Sequence, residues 1–317
     1  MILLFTDRDP DYSADYLAHG FCSLLGASHV VDFPRKSGLH WQGEPEFDCN
    51  VNLDTAVQSQ DEIEQSLRDG RYDLVVIPSM RGVVPQRLYF WRELLRRNAD
   101  RIVYIDGEDH AIDTRPLFVQ TAGVAPAAYF KRELPIGESW AKPMAFGYPA
   151  ERVAPIGSRR TPGIYSAFLW SWVAERGGLR IKLAEALRGI PGFDVASTTD
   201  YTQRMPVTQE HVRSRQALIG VAPAGAGYHT NRHLSIAADG CCPLIERPYR
   251  TWIDAPTDGI ECVYFKDEID CVEQAEALIA EPQRAREIAD AAQRWLLNWH
   301  TTLHRAKTAW DAIHGNG

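Results

Sequence analysis

Residues 222–249 have the sequence APAGAGYHTNRHLSIAADGCCPLIERPY, in which small, polar and apolar stretches follow one another. A loop that holds Gly225 and Gly227 comes first. Polar residues then favour a helix start, and we expect a helix at about 230–239. CPLIE (242–246) predicts a buried strand after it. The order loop, helix, strand is typical of a parallel sheet that helices cover on both faces.

The same alternation extends through both halves of the chain. In the first half it predicts strands at ILLF (2–5), HVVDF (29–33), DLVVIP (73–78), RIVYID (101–106) and AAYFKREL (127–134), with helices at about 12–25 and 85–98. In the second half it predicts strands at FDVAS (193–197), ALIGVAP (217–223) and ECVYF (261–265), and helices at about 164–175 or later and at 180–189. From about 269 to 314 it predicts almost continuous helix, broken near Glu281 and Pro282 and again around His300. The fold class is therefore α/β.

A Pro- and Gly-rich stretch from Lys142 to Gly157 separates the two halves. We therefore expect two domains, residues 1–150 and residues 151–317. Ligands bind α/β folds outside the carboxyl ends of the strands, so two successive units of this kind imply a binding cleft between them.

Composition excludes several classes of protein. The chain has 317 residues and a formal net charge of −8, and 45% of its residues are hydrophobic. Those values exclude a disordered chain, a collagen-like repeat and a small disulfide scaffold, and the acidic balance argues against non-specific nucleic-acid binding. The start MILLFTDRDPDY predicts a buried strand rather than a signal peptide, and no apolar run suits a membrane span, so a cytoplasmic protein is expected. Six cysteines without a CxxC spacing predict no metal site.

The loop and helix start within residues 222–249 suit a phosphate group. Small residues let the backbone approach a ligand closely, and free N–H groups at a helix start attract anions. Arg232 would add a fork of donors in the first turn. The candidate phosphate-binding residues here are Gly227, Tyr228, His229, Thr230, Asn231 and Arg232. The alternative is a flexible surface loop before a core helix.

A family resemblance covers about residues 215–314. An Arg at a helix start, an Ala-rich turn that ends in Gly240, a following strand and the closing pattern His-Thr-Thr…Arg-Ala at 300–306 resemble the C-terminal domain of CgeB-like spore maturation glycosyltransferases. YDLVVIPS and IVYIDGEDH in the first half match more loosely. The resemblance implies a GT-B-like fold of two Rossmann-like domains facing a cleft, with a nucleotide-sugar donor, UDP-linked as a candidate. It also implies that the last helix crosses back to the first domain, packed by Trp295, Trp299 and Trp310.

The sequence departs from the family at one position. The family's Glu after Arg-x-aromatic falls at Ser235, so its contact with the donor is in doubt, and Glu246 is the candidate replacement near the ribose. A salt bridge of Glu246 with Arg247 or Arg250 is the alternative.

The resemblance to GT-B-like proteins also implies that a second loop lies beside the donor phosphates. It holds Gly157, Ser158 and Arg159, and its arginines would neutralise the pyrophosphate leaving group. A solvated basic loop is the alternative for this segment.

Acid–base candidates follow the strand RIVYID in the loop DGEDH (106–110). Crowded carboxylates repel, which raises the pKa of at least one of them and suits the general base that an inverting glycosyltransferase needs. Asp109 or His110 is expected to face the acceptor, whereas Asp106, next to the strand, is expected to hold the loop. Solvation of the loop and capping of a following turn are the alternative.

Asp7 is a competing base because it follows the first strand in the same way. With Asp9 it also resembles the Asp-x-Asp metal motif of GT-A glycosyltransferases, although that motif belongs to a one-domain fold. A basic run near YFWRELLRR (89–97) is expected to be a solvated helix face, with an anionic acceptor, nucleic acid included, as the lesser alternative.

Taken together, residues and resemblance predict a metal-independent glycosyltransferase without a cofactor, which moves a sugar from a nucleotide sugar to a hydroxyl acceptor. The acceptor is a glycan, a small molecule, a protein or, less favoured, a nucleic acid. The alternatives are a GT-B-like sugar-nucleotide epimerase and a catalytically silent nucleotide-sugar-binding protein. Neither the sugar nor an inverting or retaining course follows from the sequence.

Overall fold

A computed structural model describes residues 1–158, 163–170, 174–198 and 203–315. The chain forms two compact units. The first unit consists of Met1–Pro149 and Thr302–Gly317, and the second unit consists of Ala150–Thr301. Within the described part of the chain, no helix combines the length and the apolar character that crossing a membrane requires.

The first unit is built on a parallel sheet of six strands. They are β1 (Ile2–Phe5), β2 (Val30–Phe33), β3 (Leu74–Ile77), β4 (Ile102–Asp106), β5 (Ala128–Lys131) and β6 (Lys142–Pro143), in the order β2-β1-β3-β4-β5-β6. Every neighbouring pair is parallel. All four residues of β1 are fully buried, because side chains pack on both faces of a central parallel strand.

Six α-helices of the first unit cover this sheet: α1 (Tyr12–Leu25), α2 (Gln60–Arg68), α3 (Val84–Phe90), α4 (Arg92–Arg96), α5 (Arg115–Ala122) and, from the end of the chain, α11 (Thr302–His314). Local signals set several ends. Asp11 caps α1 by accepting from two backbone N–H groups, and Ser59 and Glu62 form a capping box at α2. The helix predicted at 85–98 is two short helices, because the chain leaves helical geometry at the buried residue Trp91.

The second unit is built on a parallel sheet of five strands. They are β7 (Tyr165–Trp170), β8 (Phe193–Thr198), β9 (Ile219–Ala222), β10 (Cys242–Glu246) and β11 (Val263–Phe265), in the order β11-β10-β9-β7-β8. Its α-helices among the described residues are α6 (Ala174–Arg188), α7 (Val207–Ser214), α8 (Asn231–Asp239), α9 (Glu268–Ala280) and α10 (Pro282–Trp299).

The helix predicted at 164–175 is wrong over its first half, where β7 pairs with β8 along six residues. Aromatic residues in YSAFLW favour a strand, and a short apolar run does not distinguish a buried strand from a buried helix. The predicted α/β fold class with two parallel-sheet domains is confirmed.

The last helical region is divided between the two units. The chain leaves helical geometry at His300, so α10 belongs to the second unit and α11 packs on α1 in the first. Trp310 lies on α11 and packs against the core of the first unit. Trp295 and Trp299 lie on α10 instead, and Trp295 donates to the carbonyl of Asp254 at 2.7 Å. The expectation that all three tryptophans lie on one crossing helix is therefore wrong.

Candidate functional site

In the second unit, the loop between β9 and α8 folds tightly against the start of α8. The N–H of Gly225 donates to the carbonyl of Gly227 at 2.8 Å. A Cβ on Gly225 would lie 3.0 Å from Cγ2 of Thr230 and 3.3 Å from the guanidinium of Arg180, so a glycine fits this close approach. Among the described residues, no side chain caps α8, and the buried hydroxyl of Thr230 has no hydrogen-bond partner. The start of α8 can therefore bind an anion.

Arg180 on α6 is a basic residue of this loop that sequence analysis missed. Its guanidinium donates to the carbonyl of Ala224 at 3.0 Å and to that of Pro223 at 3.3 Å. These bonds fix a positive charge beside the loop. No spacing in the sequence links Arg180 to residues 223–227, because the contact depends on how α6 packs on β7 and β8.

The Arg232 guanidinium lies against α7 rather than in open solvent. Nη2 of Arg232 donates to Glu210 at 2.8 Å, and Nε of Arg204 donates to the other oxygen of the same carboxylate at 3.1 Å. The side chain of Arg232 is 15% exposed. Two arginines thus share one carboxylate. The sequence did not indicate Glu210, because the pairing joins two separate helices.

Glu246 at the end of β10 forms hydrogen bonds with the loop through both its side chain and its backbone. Its carboxylate accepts the N–H of Ala224 at 2.9 Å, and its backbone carbonyl accepts the hydroxyl of Tyr228 at 3.0 Å. Arg247, one of the two alternative partners, pairs with Asp258 at 3.3 Å. The carboxylate that was expected near a ribose therefore lies next to the glycine loop. Its contact with a ribose stays a prediction.

Aromatic and histidine rings pack behind the start of α8. The buried ring of Tyr228 contacts those of His229, His233 and Trp252 at centroid distances of 5.1 to 5.8 Å. Nε2 of His229 lies 3.1 Å from the carbonyl of Thr251. Burial, and secondarily the charge of Arg180, lowers the pKa of His233 to about 3. The His233 ring is therefore neutral at pH 7 and acts as a packing group.

The second predicted donor loop is described by the structure only as far as Ser158. Gly157 has a positive φ of 75°, and its N–H donates to Asp290 on α10 at 3.2 Å, while the hydroxyl of Ser158 donates to the carbonyl of Pro155. Arg159 lies outside the described residues. Ser235, at the position where the resemblance predicts Glu, is buried on α8.

In the first unit, Asp106 is enclosed at the end of β4. Its carboxylate pairs with the equally buried Lys131 at 2.9 Å and accepts the hydroxyl of Thr114. It also accepts the N–H of Glu108 at 3.0 Å. With 0% exposure, Asp106 cannot reach a substrate hydroxyl without opening the loop. The enclosure favours a structural role for Asp106 over the role of a base.

Asp109 and His110 lie on the accessible side of the same loop. The Asp109 side chain is 45% exposed and forms an ion pair with Arg132, which follows β5. His110 is exposed, and its Nδ1 accepts the N–H of Ile112 at 3.4 Å. This loop lies close to α1 at Gly107. A Cβ there would lie 2.5 Å from the hydroxyl oxygen of Ser13, so the close approach requires glycine. The loop is thus held in place while its two candidate bases remain accessible.

Asp7 after β1 supports a neighbouring turn. Its carboxylate accepts the N–H of Arg8 at 2.8 Å and that of Val83 at 3.5 Å. Gly82 has φ of 51°, and a Cβ there would lie 2.0 Å from Oδ2 of Asp7. Asp7 is 7% exposed, and its carboxylate accepts hydrogen bonds mainly from backbone N–H groups. Among the described residues, no group of three or more His, Cys, Asp or Glu side chains could hold a metal ion.

Comparisons with known proteins show a relationship for the second half of the chain. Residues 193–311 match the family model described as glycosyl transferase-like. The match includes the glycine loop, α8 and Glu246, which places the candidate anion site inside the related region. No curated protein matches the chain. The finer resemblance to CgeB-like proteins stays a prediction.

Solved structures resemble the whole chain. A glycosyltransferase from Rickettsia africae has a TM-score of 0.62 and 8% identity, covering 100% of this chain and 99% of its own. Anabaena HepE in complex with UDP-glucose has a TM-score of 0.61 and 10% identity, covering 100% of both chains. A putative UDP-N-acetylglucosamine 2-epimerase from Listeria monocytogenes has a TM-score of 0.52 and 11% identity, covering 98% of this chain and 95% of its own. At such identities the likeness establishes the fold, which is GT-B.

Proposed function

We propose that this chain, whose residues 193–311 match a glycosyl transferase-like family model, transfers a sugar from a nucleotide sugar to a hydroxyl acceptor. The observation that carries the proposal is the glycine loop that enters α8 beside Arg180, with Arg232 in the first turn. UDP is the proposed nucleotide, because Anabaena HepE, which has the same fold, was solved in complex with UDP-glucose.

The second unit would hold the donor. The diphosphate binds the N–H groups at the start of α8 and the hydroxyl of Thr230, and the guanidinium groups of Arg180 and Arg232 balance its charge. As the bond between sugar and phosphate breaks, negative charge grows on the leaving oxygen, and these fixed donors stabilise it. The arginines and the helix start can do this together, so the proposed reaction requires no metal ion.

The first unit would hold the acceptor and the base. The acceptor hydroxyl oxygen attacks the anomeric carbon, and its proton passes to Asp109 or His110 if the reaction inverts that carbon. Asp109 is the favoured base because Arg132 holds its carboxylate in a fixed position at the carboxyl ends of β4 and β5. The nucleoside diphosphate leaves as the new glycosidic bond forms.

Release of nucleoside diphosphate tests the proposal. The full chain is incubated with UDP-glucose alone and with UDP-glucose plus panels of small-molecule, glycan and peptide acceptors. We expect UDP to appear only when a competent acceptor is present, with the sugar recovered on that acceptor.

Other outcomes identify other functions. UDP release without any acceptor, together with an altered free sugar, would indicate the epimerase alternative. Tight UDP binding without turnover on any acceptor would indicate a binding protein. Absence of UDP binding would contradict the proposed donor site.

A further inference from the structure

Two neighbouring aromatic side chains on α3 are exposed to solvent. Tyr89 is 56% exposed and Phe90 is 70% exposed, and their rings meet edge to face at a centroid distance of 6.0 Å. With the exposed residue Gln86, three and four positions earlier, they form the outer face of α3, whereas Val84 and Leu88 are buried on its inner face. Adjacent exposed rings of this size are typical of a surface that another partner covers.

The neighbouring helix α5 extends this apolar surface. It packs against α3 and carries the exposed residues Leu117 and Val119. The guanidinium of Arg92 joins the two helices, because it lies 5.1 Å from the centroid of the Tyr89 ring and donates to the carbonyl of Gln120 at 3.4 Å. The four exposed apolar residues of these two helices form the α3–α5 surface: Tyr89, Phe90, Leu117 and Val119.

The charged residues of α3 and α4 are mostly basic. In the part of the chain that the structure describes, no carboxylate pairs with Arg87 or Arg92, which lie next to the two aromatic residues in sequence, or with Arg97 at the end of α4. The one acidic residue of these helices, Glu93, pairs with Arg96. The whole chain has a formal net charge of −8, so this concentration of positive charge is local. Guanidinium groups beside exposed aromatic rings favour an anionic partner that also offers apolar surface.

We propose that the α3–α5 surface docks on a lipid membrane that contains anionic headgroups. Tyr89 and Phe90 would enter the boundary between headgroups and acyl chains, where aromatic rings are favoured, while the arginines contact lipid phosphates. Leu117 and Val119 favour this occupant over a nucleic acid, because aliphatic side chains gain free energy in an acyl layer but do not stack on bases. No residue of this surface belongs to the proposed donor site, so the inference is independent of the proposed function.

Flotation of the full chain with lipid vesicles tests the proposal. Vesicles of phosphatidylcholine alone are compared with vesicles of phosphatidylcholine and phosphatidylserine, at low and at high salt. We expect the chain to bind the phosphatidylserine vesicles about tenfold or more tightly than the neutral vesicles, because several arginines each gain from the negative surface potential. High salt should remove most of that preference by screening the charges.

Two variants with matched controls locate the contact. Phe90→Ser should weaken binding to phosphatidylserine vesicles by about tenfold, because the ring no longer leaves water for the lipid. Arg97→Gln should weaken it by about fivefold, the contribution of one basic side chain near an anionic membrane. Ile269→Ser and Arg294→Gln replace an exposed apolar and an exposed basic residue of the second unit, and both should bind vesicles like the unmodified chain.

Absence of binding to either kind of vesicle, equal binding to both kinds, or unchanged binding in both Phe90→Ser and Arg97→Gln would overturn the inference. Binding of a single-stranded oligonucleotide without vesicle binding would assign the surface to a nucleic acid instead. A dimer in gel filtration that Phe90→Ser converts to a monomer, again without vesicle binding, would assign it to a second copy of the chain. UDP binding is measured separately, so each of these results leaves the proposed function standing.

Discussion

Asp109 and His110 differ from the other two candidate bases of the first unit, Asp106 and Asp7, in what their side chains contact. Asp106 is enclosed by Lys131 and Thr114, and Asp7 is used by backbone N–H groups. A base must exchange a proton with a substrate hydroxyl at hydrogen-bond distance, which requires an accessible side chain. The exposure of their side chains thus distinguishes Asp109 and His110 from Asp106, which lies in the same loop.

If Asp109 is the base, Asp109→Asn should lower turnover by about 10²-fold, because the amide cannot take up the proton. His110→Ala should have that effect if the imidazole is the base instead. Both variants should leave UDP affinity nearly unchanged, as measured by calorimetry. Asp113→Asn is a control on a nearby carboxylate that pairs with Arg115. Near-normal turnover in both variants, measured with the true acceptor, would move the assignment to the loop that holds Asp7 and Asp9.

His233 predicts a dependence of stability on pH. Its pKa is about 3 in the folded protein and 6.5 in its unperturbed state, since burial disfavours the charged ring. The unfolded chain therefore binds a proton that the folded chain excludes over this range. Stability should fall as the pH falls from about 6.5, by up to about 1.4 kcal/mol per pH unit from this one group.

Urea unfolding at a series of pH values measures that effect. His233→Phe, which keeps an aromatic ring beside Trp252, should show a shallower loss of stability toward acid than the unmodified chain. The exposed residue His29 supplies the control, and His29→Phe should keep the steep loss. Identical slopes for His233→Phe and the unmodified chain would show that His233 titrates normally.

At the scale of elements, α11 completes the first unit by packing closely on α1. A Cβ on Gly20 would lie 2.1 Å from the carbonyl oxygen of Thr302 and 3.0 Å from Cβ of Ala306. His19 and Thr302 also share a side-chain hydrogen bond at 2.8 Å. The backbones of the two helices can approach this closely only because position 20 has no side chain.

Gly20→Ala should destabilise the chain by about 1–3 kcal/mol, because the added methyl group meets backbone that must shift. Gly178→Ala is the matched control. Among the described residues, that helical glycine has no neighbour within 4 Å of an added Cβ, so alanine should leave stability equal or slightly higher. Chemical unfolding of both variants measures the difference. A Gly20→Ala chain as stable as the Gly178→Ala chain would contradict the close packing of α1 and α11.

The sequence predicts strands better than it predicts the contacts that build the site. Buried strands such as β1 and β3 are apolar throughout, and that pattern is local. The glycine loop and the start of α8 are local signals too, and the structure has them where they are expected. YSAFLW was misassigned because its pattern fits a buried helix equally well.

The partners of the site could not be predicted in the same way. Arg180 reaches the carbonyl of Ala224 across 44 positions of the chain, and Glu210 reaches Arg232 across 22. Neither contact has a sequence spacing that recurs, because each depends on how separate helices pack beside one sheet.

On the scale of the whole molecule, the two units carry different halves of the proposed reaction. The second unit has the proposed anion site at the start of α8, and the first unit has the candidate bases Asp109 and His110. A transferase needs both substrates, whereas a nucleotide-binding protein needs only the site at α8. Both the transferase and the nucleotide-binding alternative therefore require the donor site at the start of α8.

Calorimetric titration of UDP into the full chain, Arg180→Met, Arg232→Ala and the control Arg188→Met tests that site most directly. Arg188 is on the same helix as Arg180 but donates to Ser197. UDP should bind the unmodified chain and Arg188→Met equally. Each of the other two variants should lose about 1–3 kcal/mol of binding free energy, the scale of a hydrogen bond to a charged group, with unchanged melting behaviour. Equal UDP affinity in all four proteins, or no UDP binding by the unmodified chain, would contradict a donor site at the start of α8.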